Sequence, residues 1–397
     1  MAQKARIIDS IQPAIQNESI ESEFHTLSVM SYDDKQFELN KILQHKTQIL
    51  DFKERRTVIP VTLELDLTLI CNDECPNCVH RFAHSQRSLS TAQIEKLLIE
   101  AKEIGIKGLT ITGGGDPLCH PDINNVLKLI RTCGIPAGLF TNGSKLEKTL
   151  SDEILQTFSW VRISLDSASE DSFRLVRGKP GFGERMNALR DFASRRKHSD
   201  RNCEIGISFL TMSGFSEEIP IAAYLVRNLG YDYIQFKPMI MFDRPTHHLS
   251  SSTSQSRVFP SIKKSLDEQK NGFRVLVSRD KYASELKPAL FYSGFHSANF
   301  IASVGPSRTG QETLPTLYLD CSAKYIDQWT IGTFSSLGEI LKSNRRRDMI
   351  NNTSSKHFCI RSEKHAVYNT ILEDVLKGNS KLAGQPISCA PHHANWL

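Results

Sequence analysis

Residues 61–80 read VTLELDLTLICNDECPNCVH, and two patterns meet in them. Val61 to Leu69 is a strand-like run. Directly after it stand Cys71, Cys75 and Cys78, at C-x3-C-x2-C spacing. Three thiols are therefore placed on one short loop where a strand ends.

The residues beyond His80 settle the kind of strand. Ser90-Thr91-Ala92-Gln93 matches a capping box and opens a helical pattern to about Glu103. KGLTITGG (107–114) reads as a strand and INNVLKLIRTCG as a helix. PAGLFTNG (136–143) is a strand, with a helix near 145–158; WVRISLD (160–166) is a strand, with a helix near 183–195. EIGISFLT (204–211) is a strand, with a helix near 217–229, and YIQFKP (233–238) is the sixth strand. Such alternation builds right-handed βαβ units on a parallel sheet. The expected class is α/β: a partial (β/α)6 TIM-like barrel over residues 59–240. Chemistry in such a barrel gathers at the C-terminal strand ends, where the cysteines fall.

Residues 1–58 are polar and helix-leaning, with room for one amphipathic helix between Tyr32 and Arg56, and read as an N-terminal helical extension. Residues 241–397 read as a C-terminal α+β cap. The cap begins in a serine-rich loop (249–256) and holds helices near 258–270, 335–349 and 364–377. Its strand-like runs are FRVLVS (273–278) and TLYLD (316–320).

Bulk properties exclude several classes. Apolar residues make up 39% and charged ones 23%, ordinary for a globular chain. A net charge of +5 over 397 residues gives no case for nucleic acid, and the short basic run Arg345-Arg346-Arg347 reads as a solvated helix face. No apolar run reaches the roughly 18–20 residues of a membrane helix, and the N-terminus lacks a secretory apolar core. A cytoplasmic location is expected, where the nine cysteines serve as thiols or metal ligands rather than disulfides.

Three closely spaced thiolates can hold three irons of a cubane cluster and leave the fourth open. An open metal position is what a catalytic site keeps. The alternative is structural zinc, with His80 completing a Cys3His set and the barrel acting as a non-catalytic scaffold.

With these residues in this order, Val61 to Pro238 resembles the radical S-adenosylmethionine (SAM) superfamily. The resemblance implies a 4Fe–4S cluster on Cys71, Cys75 and Cys78, with SAM bound at the open iron. One electron would cleave the S–C5′ bond of SAM, and the 5′-deoxyadenosyl radical would take hydrogen from substrate. Gly113-Gly114-Gly115-Asp116 looks like the family's glycine-rich motif, whose backbone approaches the methionine ammonium. Thr141-Asn142-Gly143 is also similar to the family. The resemblance further offers Asn142, Ser164, Asp166, Arg177 and Ser208 as SAM-binding residues. Gln235 and Lys237 point into the barrel, toward substrate or adenosine. Where the family often has an aromatic residue before the third cysteine, this chain has Asn77, leaving the adenine contact to Val79 or Phe82. An electron donor such as flavodoxin or ferredoxin is implied.

Cys321, Cys359 and Cys389, with His392 and His393 nearby, are the residues on which a second Fe–S cluster would form. Without one, redox-neutral chemistry is favoured, with Cys119, Cys133 or Cys203 as conceivable hydrogen-atom donors. The expected substrate is a small polar metabolite of sugar, aminocyclitol or nucleoside type in biosynthesis, undergoing epimerisation, dehydration, oxidation or rearrangement. The alternative is maturation of a ribosomal peptide or protein. Asp243, His247 and His248 come soon after the sixth strand and read as a solvated loop, with contact to substrate as the alternative.

Overall fold

The computed structural model describes residues 39–55, 58–199, 202–239, 255–278, 281–282, 292–356, 364–378 and 393–397. One sheet of ten strands runs through it. The six expected strands are β1 (Thr62–Asp66), β2 (Gly108–Thr112), β3 (Ala137–Thr141), β4 (Trp160–Ser164), β5 (Glu204–Thr211) and β6 (Tyr233–Pro238). They lie side by side in chain order, each parallel to the next.

Two further parallel strands extend the barrel at its edges. Strand β7 (Arg274–Val277) pairs with β6, and β8 (Ile301–Pro306) pairs with β1. Antiparallel β9 (Pro315–Tyr318) and β10 (Thr330–Thr333) then continue past β8. The sheet stays open, with β10 and β7 as its ends. The C-terminal region is thus partly barrel wall: FRVLVS and TLYLD, expected in a cap, are strands of this sheet. β8 was not expected, because a short apolar run ending in Gly and Pro carries no distinguishing period.

The helices fall between the strands: α1 (Lys46–Arg55), α2 (Thr91–Ile104), α3 (Ile123–Cys133), α4 (Lys148–Thr157), α5 (Glu170–Arg177), α6 (Phe182–Lys197) and α7 (Glu218–Leu229). Beyond β6 come α8 (Gln255–Ser265), α9 (Leu337–Lys342), α10 (Asn344–Asn352) and α11 (Lys364–Leu376). No described helix is long and apolar enough to cross a membrane. The capping box on α2 forms: Ser90 Oγ accepts from Gln93 N at 3.2 Å, and Gln93 Oε1 accepts from Ser90 N at 2.8 Å. The helix ends at Gly105, whose φ of 90° a side chain would strain. Helix α5 was not expected; Ser169 caps it over Ser172 N, and Gly178 ends it.

Alternation along each strand divides the barrel into an apolar outside and a polar inside. Leu63, Leu65, Val161, Ile163, Ile205, Ile207, Ile234 and Phe236 join the core beneath the helices. Their alternates, Glu64, Asp66, Arg162, Ser164, Ser208, Gln235 and Lys237, therefore face the lumen. At the N-terminal strand ends the lumen is filled by residues 393–397. Trp396 Nε1 donates to Leu109 O at 2.9 Å, and Asn395 O accepts from Thr62 Oγ1 at 2.7 Å.

Two glycines make room for aromatic rings inside this wall. Gly138 sits beside Trp160, and Gly206 pairs in register with Tyr233. A Cβ on Gly206 would stand 2.1 Å from the Tyr233 ring, whose hydroxyl is tied to Arg162 Nε at 3.1 Å. Gly206→Ala should therefore lower unfolding free energy by about 1–3 kcal/mol. A urea unfolding midpoint read by circular dichroism checks this, and an unchanged midpoint refutes the packing argument.

Candidate active site

The cysteine loop leaves β1 and is held from both sides. From the β2 side, Gly115 N donates to Thr68 O at 3.1 Å and Asp116 N to Ile70 O at 2.9 Å. A Cβ on Gly115 would meet Ile70 O at 2.1 Å, and one on Gly114 would meet Leu69 and the Tyr325 ring at 2.6–2.7 Å. The glycine run thus lets the β2 loop lie directly on the backbone that leads into Cys71.

Asp116 ties this pair of loops to β3. Its buried carboxylate accepts from Leu118 N at 2.9 Å, Thr141 Oγ1 at 2.9 Å and Asn142 N at 2.6 Å. Burial raises its pKa; the Asn142 amide and the Thr141 hydroxyl pull the other way. Asn142 Nδ2 donates to Asn72 Oδ1 at 2.9 Å, reaching the cysteine loop itself.

From the β4 side come charges. Arg177, buried at the end of α5, donates to Asp166 Oδ2 at 2.8 Å, to Ser164 O, and toward Cys75 Sγ at 3.6 Å. Asp166 Oδ1 also accepts from Leu210 N at 2.7 Å, joining β5 to the network. Its φ of 58° is uncommon for a residue with a side chain. Asp73, inside the cysteine loop, gathers three cations: Lys179 at 3.0 Å, Arg185 at 3.2 Å and Arg177 at 3.9 Å. Asp73 and Arg185 carry no signal in the sequence, where an Asp between cysteines and an Arg inside a helix look like surface residues.

Cys71, Cys75 and Cys78 are half-buried. Burial pushes the Cys71 thiol up to about 12, with Asp116, Cys75 and Asp73 adding to it, and the Cys78 thiol up to about 11, where Cys75 adds to burial and Arg177 opposes it. A metal must displace these protons to bind. Among the described residues the three sulfurs do not converge within 4.8 Å as a set, as ligands of one ion would. His80 turns away from them: its Nε2 lies 3.1 Å from Cys321 O, and its ring meets Tyr325 edge to face. The Cys3His zinc arrangement is therefore not what this loop builds.

The other expected residues divide. Ser164 and Ser208 face the lumen. Gln235 Oε1 and Asn77 Oδ1 are buried acceptors without a hydrogen bond. Asn77 Nδ2 contacts Met239 Sδ at 3.2 Å. Phe82 packs on Leu69, Tyr318 and Tyr325 rather than toward the lumen. Of the three thiols considered as hydrogen donors, Cys119 stands at the cysteine end of the barrel, against the Asn72 backbone. Cys133 ends α3 and Cys203 precedes β5, at the opposite end. Asp243, His247, His248, Cys359, Cys389 and His392 lie outside the described residues.

A parallel barrel with three cysteines at the end of its first strand defines a class of metal-dependent barrel, and sequence comparison gives the family. The Radical SAM superfamily model matches residues 65–217, from β1 to the start of α7. Residues 65–217 thus form a Radical SAM domain. The chain is 33% identical over 123 residues to a probable GTP 3′,8-cyclase of Pyrococcus abyssi, covering 30% of this chain and 39% of that protein. It is 26% identical over 149 residues to the mycofactocin maturase MftC of Mycobacterium tuberculosis, covering 37% and 38% respectively. The chain thus spans less than half the length of these curated relatives. Streptococcus suis SuiB bound to S-adenosylmethionine shares the fold at a TM-score of 0.58 and 12% identity, over 77% of this chain and 69% of that one. Native anSMEcpe with bound AdoMet and Cp18Cys peptide does so at 0.54 and 16%, over 73% and 82%.

The family implies a 4Fe–4S cluster and SAM, and the site suits both. Three sulfur donors stand apart rather than around one point. An arginine is aimed at Cys75, and the cations Arg177, Lys179 and Arg185 outnumber the carboxylates Asp73 and Asp166 they pair with. That surplus favours thiolates and an anionic cofactor.

The Asp116 network yields a stability test. In Asp116→Asn one carboxylate oxygen becomes an NH2 group, which leaves Leu118 N or Asn142 N facing a donor. The loss should be about 1–3 kcal/mol, the cost of one unsatisfied buried N–H, read from a chemical unfolding midpoint. Unchanged stability would mean the carboxylate does not hold these loops together.

Proposed function

We propose that this chain binds a 4Fe–4S cluster on Cys71, Cys75 and Cys78, cleaves SAM there, and acts on a small polar metabolite. The observation carrying the first part is the cysteine loop itself, gripped by Asp116–Asn142 on one side and Asp73–Arg185–Arg177 on the other. A bound cluster, reduced by a donor such as flavodoxin or ferredoxin, would supply the electron that breaks the S–C5′ bond of SAM. The chain's own groups do the positioning. Arg177 fixes Cys75 and Asp166 together. Asp116 holds the glycine backbone where the methionine end of SAM would lie. Ser164 and Ser208 line the wall beside it, and the free acceptor of Asn77 suits the adenine amino group.

The substrate reading rests on the lumen. Lys237, on the inner face of β6, is half-buried, and its amine makes no hydrogen bond or ion pair with the described residues. Burial, with like charge from Arg162 and Lys281, depresses its pKa well below the ordinary lysine range. Gln235 beside it keeps an unpartnered carbonyl. Uncommitted polar groups in a barrel cost free energy that substrate contacts would offset. A sugar, aminocyclitol or nucleoside with hydrogen-bonding groups fits them. Peptide maturation is the second reading, favoured by the similarity to MftC.

Anaerobic reconstitution with iron and sulfide, reduction and addition of SAM should give 5′-deoxyadenosine. Cys75→Ala should lose both bound iron and 5′-deoxyadenosine while keeping its circular dichroism spectrum. SAM cleavage by Cys75→Ala would overturn the assignment.

Two lumen lysines give a contrast. Lys324 is buried and bound to Asp66 at 2.7 Å, so Lys324→Met leaves a buried carboxylate without its counter-charge, held by the Tyr325 hydroxyl alone among the described residues, and should cost about 3–5 kcal/mol. Lys237→Met removes an uncommitted amine and should leave the thermal midpoint unchanged or raise it. A fall for Lys237→Met comparable with that for Lys324→Met would mean that its amine serves the fold, not a ligand.

A further inference from the structure

We infer that Glu64, Cys321 and His365 form a second, mononuclear site for a borderline-soft divalent cation such as Zn²⁺ or Fe²⁺. It goes beyond the cluster reading and does not depend on it. The three residues come from distant parts of the chain: β1, the turn after β9, and the first turn of α11. One ligand atom from each falls within 4.8 Å of the others. Cys321 Sγ and His365 Nε2 are 3.8 Å apart, long for a strong hydrogen bond. Tetrahedral ligands with Zn–S near 2.3 Å and Zn–N near 2.1 Å stand about 3.6 Å apart, so the spacing is nearly that of a ligand pair.

The supporting groups are those a metal site needs. His365 Nδ1 lies 3.2 Å from Asp320 Oδ2 and 3.0 Å from Ser297 Oγ. The Ser297 hydroxyl engages Nδ1 and the Asp320 carboxylate stands at ion-pair distance from it, which favours a proton on Nδ1 when a metal takes Nε2. Glu64 is oriented by Ser303 Oγ at 3.0 Å on one oxygen and Lys364 Nζ at 2.9 Å on the other. His365 and Asp320 are almost fully enclosed, at 1% and 0% exposure. Charge points the same way. Glu64, Asp320 and a Cys321 thiolate bring more negative charge than Lys364 offsets, while Lys324 is paired with Asp66, and that excess favours a divalent cation. Sulfur, imidazole and carboxylate together select zinc-like ions over calcium or magnesium.

The test uses the full chain, loaded with its cluster, incubated with zinc and freed of excess, with metals counted by mass spectrometry. One zinc per chain beside about four irons is expected, falling to none in Cys321→Ser with iron unchanged. Asp320→Asn should weaken zinc binding about 10–100-fold. Should Cys321→Ser fail to fold, Co²⁺ added to the Cys71→Ala/Cys75→Ala/Cys78→Ala chain should still give a thiolate-to-cobalt charge-transfer band. No bound zinc, zinc retained in a folded Cys321→Ser, or no such band would overturn the site. None of these readouts needs SAM cleavage, so the cluster reading stands or falls separately.

Discussion

Asp73 sits inside the cysteine loop with its carboxylate almost wholly shielded from water, and Arg177, Lys179 and Arg185 converge on it. A buried carboxylate must be paired or it shifts toward its neutral form. Satisfying Asp73 brings the end of α5, the residues after it and α6 against the loop after β1, although β2, β3 and β4 intervene in the chain. Arg177 then does two things with one side chain. It completes the Asp73 environment and, through Asp166, anchors to Leu210 N on β5. The left-handed backbone of Asp166 is held in place by those bonds. The cysteines are thus not carried on a free loop; electrostatic need positions them.

Hydrogen bonds from neutral donors to a carboxylate do the corresponding work on the opposite side. The Asp116 carboxylate binds two backbone amides and a hydroxyl from adjacent loops. The three glycines bring those loops into direct contact with residues 68–70. The acidic position next to the glycines is therefore structural. It holds the glycine backbone in place by turning its own oxygens inward.

Much of this was legible because barrels are periodic. The alternation of strand and helix from Val61 to Pro238 reports local burial, which sequence records directly, and the capping box at Ser90 and Gln93 is a local bond. The cysteine spacing and the glycine run are local too. What was illegible is non-local. Strands β7 and β8 join the sheet through pairing with β6 and β1, which no period in their own few residues announces. Asp73 and Arg185 acquire their role from a contact across 112 positions. Phe82 looked like a residue for the adenine face, yet the structure offers it Tyr318 and Tyr325 instead.

The same non-local logic links the two metal-competent regions. His80 directly follows the cysteine loop, and its Nε2 reaches Cys321 O, while its ring stands against Tyr325. Tyr325 donates to Asp66, the lumen residue next but one to Glu64, and Asp66 also pairs with Lys324. The segment 320–325 therefore touches the cysteine loop by a hydrogen bond and an aromatic contact, and touches β1 by an ion pair. A metal held by Cys321 would stiffen that segment, and through His80 the loop carrying Cys78. Burying Glu64, Asp66 and Asp320 together with Lys324 beneath the cysteine loop is costly for stability alone, because well-packed apolar residues would serve as well or better. Their presence makes sense if the polar floor holds something the apolar alternative could not, and a cation coordinated by Glu64, Cys321 and His365 is what that floor is built to hold.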